Sequence, residues 1–338
     1  MENMKSVQFL GPKTVAVVEA PIPEIPAGWA LIKVSYAGVC GSDLNIFGGT
    51  HPRAKAPLIL GHEFTGTLEH DTDSLKKGTP VTVYPLISCG KCPPCLSGDS
   101  HVCNSLGLYG IDAPGGMARY VVVPQDTLVE LPKGVSLEAG ALIEPIAVVV
   151  HAVRETGFIP GDNALVFGAG PIGLSLAIVL RLYGARGLFI AETDAKRLAL
   201  AKSMGFETVN PTEIDIAEFA ASKTGGNGFD RVYDCAGVPA VSMRLLDVVR
   251  VRGQIVIVAG YKKNAEMPFY LGMVKEPKIE FVRVYRRKDF EIASDLIVGE
   301  PLFNKLITHV FPPEKAQEGF ELLTTQGSGT VKVLINFD

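Results

Sequence analysis

The segment from Ala164 to Tyr183 constrains the fold more than any other. Ala164-Leu-Val-Phe167 reads as a buried strand, and Gly168-Ala-Gly-Pro-Ile-Gly173 fits G-x-G-x-x-G. Ile172 to Tyr183 is apolar and long enough for a helix. The uncharged run from Ala164 to Leu180 nears the length of a membrane span, but Gly168, Gly170, Pro171 and Gly173 mark it as a turn. A strand that turns through glycines into a helix needs a second parallel strand to pair with, and the chain supplies several. Gly187-Leu-Phe-Ile-Ala191 is the next strand, with Asp194 as the N-cap of the helix after it and Gly205 just past that helix's end. Asp230 to Cys235, Ile255 to Ala259 and Ile279 to Val282 continue the alternation, which builds an α/β parallel sheet covered by helices.

The first 130 residues differ. Short strand-like runs, among them Val15 to Val18, Ala30 to Val34, Val81 to Tyr84 and Tyr120 to Val123, are punctuated by Gly and Pro, with prolines at 21, 23 and 26. This is an irregular all-β unit. Ser136 to Thr156 is a helical stretch in which Pro145 predicts a break and the opening of a second helix. The end of the chain holds a helix over Pro313 to Leu323 and a strand over Val331 to Phe337.

The 338 residues fit two domains at about 150 residues each. With 47% hydrophobic and 20% charged residues a large core can form, which excludes a disordered or fibrous chain. A net charge of −4 gives no attraction to nucleic acid or to an anionic membrane. Met1 to Thr14 lacks a basic start followed by an apolar stretch, so the expected location is cytoplasmic. The six cysteines are then metal ligands or core residues rather than a disulfide framework.

Following a strand and opening a helix, the glycine turn predicts a dinucleotide site. Gly168 permits the tight turn, Gly170 lets a pyrophosphate approach the backbone, and Gly173 lets helix and strand pack closely. Free N–H groups at the helix start that Pro171 opens, with Ile172 among the expected contacts, face the phosphates. Glu192 ends the next strand, where a carboxylate accepts the ribose hydroxyls of NAD and repels the extra phosphate of NADP. Lys196 and Arg197 lie close by and weaken that exclusion, and Arg197 joins the expected cofactor contacts.

Cys89, Cys92, Cys95 and Cys103 stand within one short, Gly- and Pro-rich stretch. Four thiolates at this spacing surround one zinc tetrahedrally and leave no open position, so the lobe 89–103 is structural. Elsewhere Cys40 stands in Gly38-Val-Cys-Gly-Ser-Asp43, and His62 and Glu63 in Gly61-His-Glu63. Spacing alone leaves Cys40 and His62 readable as core residues and Glu63 as a solvated one.

These motifs, with Leu142-Ile-Glu-Pro145 and the glycine turn in the same order, resemble the zinc-dependent medium-chain dehydrogenases, within them the sorbitol, polyol and butanediol-like branch. The resemblance spans almost the whole chain. It implies a Rossmann-type doubly wound parallel sheet at 148–284 and a β-rich GroES-like catalytic domain at 1–147 completed by 285–338, with the active site in the cleft. It implies a catalytic zinc on Cys40 and His62 with Glu63 or Glu144 as the carboxylate ligand, hence two zincs per chain, and NAD as hydride acceptor. The alcohol dehydrogenase branch has cysteine where this chain has Glu144, which favours the polyol branch. Cys40, Glu63 and Glu144 together would over-neutralise one Zn2+, so three protein ligands at a time are expected, the other carboxylate holding a water. The resemblance makes Asp43 the residue that orients the ligating histidine and Ser42 the start of a proton relay. Asn45 stands where many relatives carry the relay histidine, so the relay must differ here; His51 is near in sequence but reads better as a loop residue.

The expected reaction is zinc-assisted, NAD-linked oxidation of a small secondary alcohol to a ketone, with a polyol, sugar alcohol or vicinal diol as substrate. Arg53, Lys55, Arg119, Arg283, Arg286 and Arg287 keep a sugar acid or sugar phosphate open as an alternative. A non-catalytic NAD- and zinc-binding regulator would need a broken catalytic set, and a zinc-free reductase would lack both metal motifs. The later strand ends, Asp234-Cys-Ala-Gly237 and Val258-Ala-Gly260, should line the cofactor crevice, with Cys235 a small buried residue. Family members form homodimers or homotetramers, often through the edge of the dinucleotide-domain sheet.

Overall fold

Trp29–Gly38 is the strand around which the first unit of the computed structural model is organised. Ala30, Ile32 and Val34 alternate with more exposed residues, as a sheet with one face on a core requires. It pairs antiparallel with Glu63–Leu68, Tyr120–Pro124 and Lys332–Asn336. Pro80–Val83 and Leu128–Glu130 extend the sheet on one side, and Ile307–Phe311 extends it on the other. Phe64, Leu68, Val81, Val123, Val333 and Ile335 close the core beneath it.

The structure describes residues 3–338, in two units: residues up to Ala147 with Tyr285–Asp338, and Val148–Val284. The second unit holds six parallel strands, ordered Glu207–Val209, Gly187–Ala191, Asn163–Phe167, Phe229–Asp234, Val249–Ile257, Lys278–Phe281. Counted along the chain this is order 3-2-1-4-5-6, doubly wound, with the order reversing between Asn163–Phe167 and Phe229–Asp234. Leu165, Phe189, Phe229, Val232 and Ile255 are buried, as a sheet covered on both faces demands.

Local signals act as expected at most element ends. Asp194 accepts the N–H groups of Lys196 and Arg197 at the start of Ala195–Ser203, and Gly205 follows that helix at φ +80°. One boundary differs. The stretch from Ser136 breaks at residues 141–142 rather than at Pro145, giving helices Leu137–Gly140 and Ile143–Glu155. Pro145 stands in the first turn of the second helix, where a missing N–H breaks no helical bond. Pro313–Lys315 is a 3-10 turn and the α-helix runs Ala316–Thr324. No helix among the described residues is long and apolar enough to cross a membrane.

Candidate active site

Two adjacent strands bring the first cluster together. Trp29–Gly38 ends two residues before Cys40, which is the N-cap of the helix Gly41–Phe47. Glu63–Leu68 begins beside Gly38 in antiparallel register, so His62 and Glu63 arrive at the same edge. A Cβ on Gly38 would collide with the Glu63 carboxylate, so glycine is required where the two strands meet. One donor atom each from Cys40, His62 and Glu63 lie within 4.8 Å of one another. A thiol, an imidazole and a carboxylate so placed are a donor set that fits zinc. Asp43 is fully buried; its Oδ2 accepts the Cys40 N–H at 2.9 Å, and its Oδ1 stands 4.0 Å from His62 Nδ1. Among the described residues neither of those facing atoms has a hydrogen-bond partner, so Asp43 is beside the histidine but short of contact with it. Burial disfavours a charged His62, yet Cys40 and Asp43 together carry its pKa well above the ordinary imidazole value.

Two buried residues that the sequence reading did not single out complete this centre. Lys332 Nζ donates to both Glu63 oxygens, at 2.8 and 2.6 Å, and to the Val39 carbonyl at 3.3 Å. Tyr285 donates its hydroxyl to Glu144 Oε1 at 2.7 Å. Glu144 lies outside the set of donors within 4.8 Å, and burial pushes its carboxyl up to about 7, the charge of Glu63 adding to the effect. Lys332 offsets the charge of Glu63, so a Zn2+ here would have less anionic charge to balance than Cys40, Glu63 and Glu144 could carry together. The signal for Lys332 was present, since it interrupts the apolar run Val331-Lys-Val-Leu-Ile335 at a buried position. Nothing in the pattern around Tyr285 set it apart.

Ser42 Oγ and Asn45 Oδ1 are buried without a hydrogen-bond partner among the described residues. Unpaired buried polar atoms beside a donor cluster suit a site that takes a polar ligand. His51 Nδ1 accepts the N–H groups of Arg53 and Ala54, so this ring belongs to its own loop. Four of the arginines weighed for anion binding are tied down. Arg53 binds Asp112 and the Leu106 carbonyl, and Arg119 binds the Phe337 carbonyl. Arg286 binds Asp99, and Arg287 binds the Asp126 and Leu128 carbonyls.

Cys89, Cys92, Cys95 and Cys103 also place their sulfurs within 4.8 Å of one another. Cys92 Sγ is 3.4 Å from Cys95 Sγ and 3.7 Å from Cys103 Sγ. The Cys89 N–H points at Cys103 Sγ and draws that thiol down to about 6. Four converging sulfurs fit a closed zinc site.

In the second unit, Gly168 adopts φ +98°, and a Cβ on Gly173 would strike the Gly168 carbonyl. Gly170 caps Pro171–Leu182, and Ile172 lies in that helix's first turn. Glu192 Oε2 accepts the Ala169 N–H at 2.8 Å, and its Oε1 accepts the N–H groups of Thr193 and Asp194. The carboxylate therefore stands at the glycine turn. Arg197 Nη1 is 3.9 Å from where a Gly170 Cβ would be. A bare glycine turn, a helix start and an acid at the neighbouring strand end fit a dinucleotide.

Two family models match the chain: the alcohol dehydrogenase GroES-like domain over residues 26–133 and the zinc-binding dehydrogenase over residues 171–299. The chain is 34% identical to the 2-dehydro-3-deoxy-L-galactonate 5-dehydrogenase of Pseudoalteromonas atlantica, covering 91% of this chain and 92% of that one. It is 33% identical to a sorbitol dehydrogenase of Halalkalibacterium halodurans, over 95% of each. The crystal structure of 2R,3R-butanediol dehydrogenase from Bacillus subtilis superposes with a TM-score of 0.91 at 30% identity, covering 99% of this chain and 100% of that one. With a GroES-like catalytic domain, a doubly wound dinucleotide domain and two cysteine-containing donor sets, this chain belongs to the zinc-dependent medium-chain alcohol dehydrogenase family, in its polyol branch.

Proposed function

We propose that the chain oxidises a secondary alcohol flanked by further hydroxyls, a polyol, sugar alcohol or vicinal diol, to the ketone, with NAD as hydride acceptor. The observation that carries this is the buried set Cys40, His62 and Glu63, beside a Glu144 whose carboxyl sits near 7. When bound, zinc supplies Lewis acidity at the alcohol oxygen and NAD accepts the hydride. Cys40 and His62 would hold the metal, and Asp43 fixes the Cys40 backbone that presents the thiol. Glu63, clasped by Lys332, tunes the charge of the centre. Glu144 is the second carboxylate, kept in place by Tyr285 and able to hold a water or a substrate hydroxyl. The Ser42 hydroxyl, buried without a partner among the described residues, would accept the alcohol proton while giving its own to water. Cys89, Cys92, Cys95 and Cys103 would hold a second zinc that braces their lobe and takes no part in the chemistry.

A sugar acid or sugar phosphate is the second reading, favoured by the galactonate-derived substrate named for one relative. Against it, Arg53, Arg119, Arg286 and Arg287 each already bind protein partners. A purely regulatory role is disfavoured because the catalytic donor set is intact. NADH formation across sugar alcohols, vicinal diols, sugar acids and sugar phosphates, with and without a zinc chelator, separates these. Turnover is expected on a neutral polyol or diol and should vanish with the chelator. Turnover confined to the anionic substrates would sink the neutral reading, and none at all with NAD bound and only one zinc per chain would favour the regulator.

Glu192 is read as the ribose acceptor. Glu192→Ala should lower the ratio of NAD to NADP efficiency by about tenfold or more, since it removes both a hydroxyl acceptor and a repelling charge. An unchanged ratio would take Glu192 off the ribose.

A further inference from the structure

The strand ends of the second unit form one row across the sheet: Ala191, Phe167, Asp234 and Ile257 are register partners in turn. Asp234 is the acid in that row, and it is fully buried. Its Oδ1 accepts the N–H groups of Ala236 and Gly237 at 2.9 and 3.0 Å, which folds the loop after its own strand. Its backbone carbonyl accepts the N–H groups of Val258 and Ala259, both at 3.0 Å, which draws in the loop after the next strand. Its Oδ2 accepts the hydroxyl of Tyr261, from that same second loop. A buried carboxylate without enough donors is costly, and the tyrosine supplies the last of them.

The loops so joined are packed without slack. A Cβ on Gly237 would come within 2.9 Å of Ala259 Cβ, and one on Gly168 within 3.3 Å of the Ala236 nitrogen. The loop held by Asp234 is therefore the wall facing the glycine turn, at the point where strand order reverses and a dinucleotide lies. Glu192 and the glycine turn belong to the first half of the sheet, which takes the adenosine ribose and pyrophosphate. The nicotinamide half then falls to the loops after Phe229–Asp234 and Val249–Ile257.

We infer that Tyr261 is a positioning residue for the nicotinamide half of the cofactor: its hydroxyl, through Asp234, locks the two loops that form that wall. This rests on the dinucleotide reading of the glycine turn. In Tyr261→Phe the ring stays and only the hydroxyl is lost, leaving Asp234 Oδ2 buried without its donor. The two halves are read separately, NADH binding by nicotinamide fluorescence and AMP binding by calorimetry, with the thermal midpoint alongside. NADH is expected to bind about tenfold more weakly in the variant, the KM for NAD to rise, and AMP affinity to stay as in the wild type. Equal NADH affinity in both proteins would overturn the inference. So would parallel loss of AMP and NADH with a lowered midpoint, which marks general loosening of the unit. A wild-type protein that binds neither ligand would instead overturn the dinucleotide reading, and this inference with it.

Discussion

Lys332→Met should destabilise the metal-stripped protein by about 3–5 kcal/mol, the usual cost of leaving one partner of a buried ion pair alone. The reason is local and specific. Glu63 and Lys332 are each 1% exposed, and both Glu63 oxygens accept from the ammonium. Methionine fills a similar volume but carries no charge, so the Glu63 carboxylate must take up a proton or pull in water. Zinc bound at Cys40 and His62 would offset part of that orphaned charge, so the loss should be smaller in the metal-loaded protein. Glu63→Gln in the same chain removes the unpaired charge, and the double variant Lys332→Met/Glu63→Gln should recover most of the lost stability. Thermal melts of the four proteins, with and without chelator, test this. A Lys332→Met protein that melts like the wild type after chelation would show that the pair contributes nothing.

What the sequence made legible follows from what is local. The glycine turn, the four-cysteine lobe and the strand–helix alternation are written in consecutive residues, and each meets its geometry: Gly168 at positive φ, converging sulfurs, and a parallel sheet of reversed order. In the sequence Cys40, His62 and Glu63 group only through resemblance, because the antiparallel register of Gly38 against Glu63 joins them and no local pattern states a register. Lys332 and Tyr285 reach the site from the far end of the chain, so spacing arguments could not find their partners. The boundary near Pro145 was misplaced because a proline serves equally well as a helix breaker or as a first-turn residue, and only the backbone decides. Tyr261 was overlooked for a similar reason. Its hydroxyl matters because of Asp234, on the neighbouring strand, and the two are not close in sequence.

Cys40→Ser should lower turnover by about a thousandfold or more, if metal Lewis acidity supplies several kcal/mol at the alcohol oxygen. Serine keeps the size of the side chain but loses the soft, ionisable sulfur, so the set of Cys40, His62 and Glu63 is left with an imidazole and a carboxylate already claimed by Lys332. NADH binding should persist, because the glycine turn and Glu192 lie in the other unit. Zinc content should fall from two per chain to one, since the four-cysteine lobe is untouched. Cys92→Ser is the matched comparison. Cys92 sits centrally in the lobe, within 3.4 Å of Cys95 Sγ and 3.7 Å of Cys103 Sγ, so it too should cost one zinc. Its effect should appear as lost stability of the first unit rather than as folded, inactive protein. Metal analysis, NADH titration and turnover on the two variants separate a zinc that reacts from a zinc that braces. Full activity in Cys40→Ser would remove the first cluster from the chemistry, and equal loss of stability in both variants would make it a second brace.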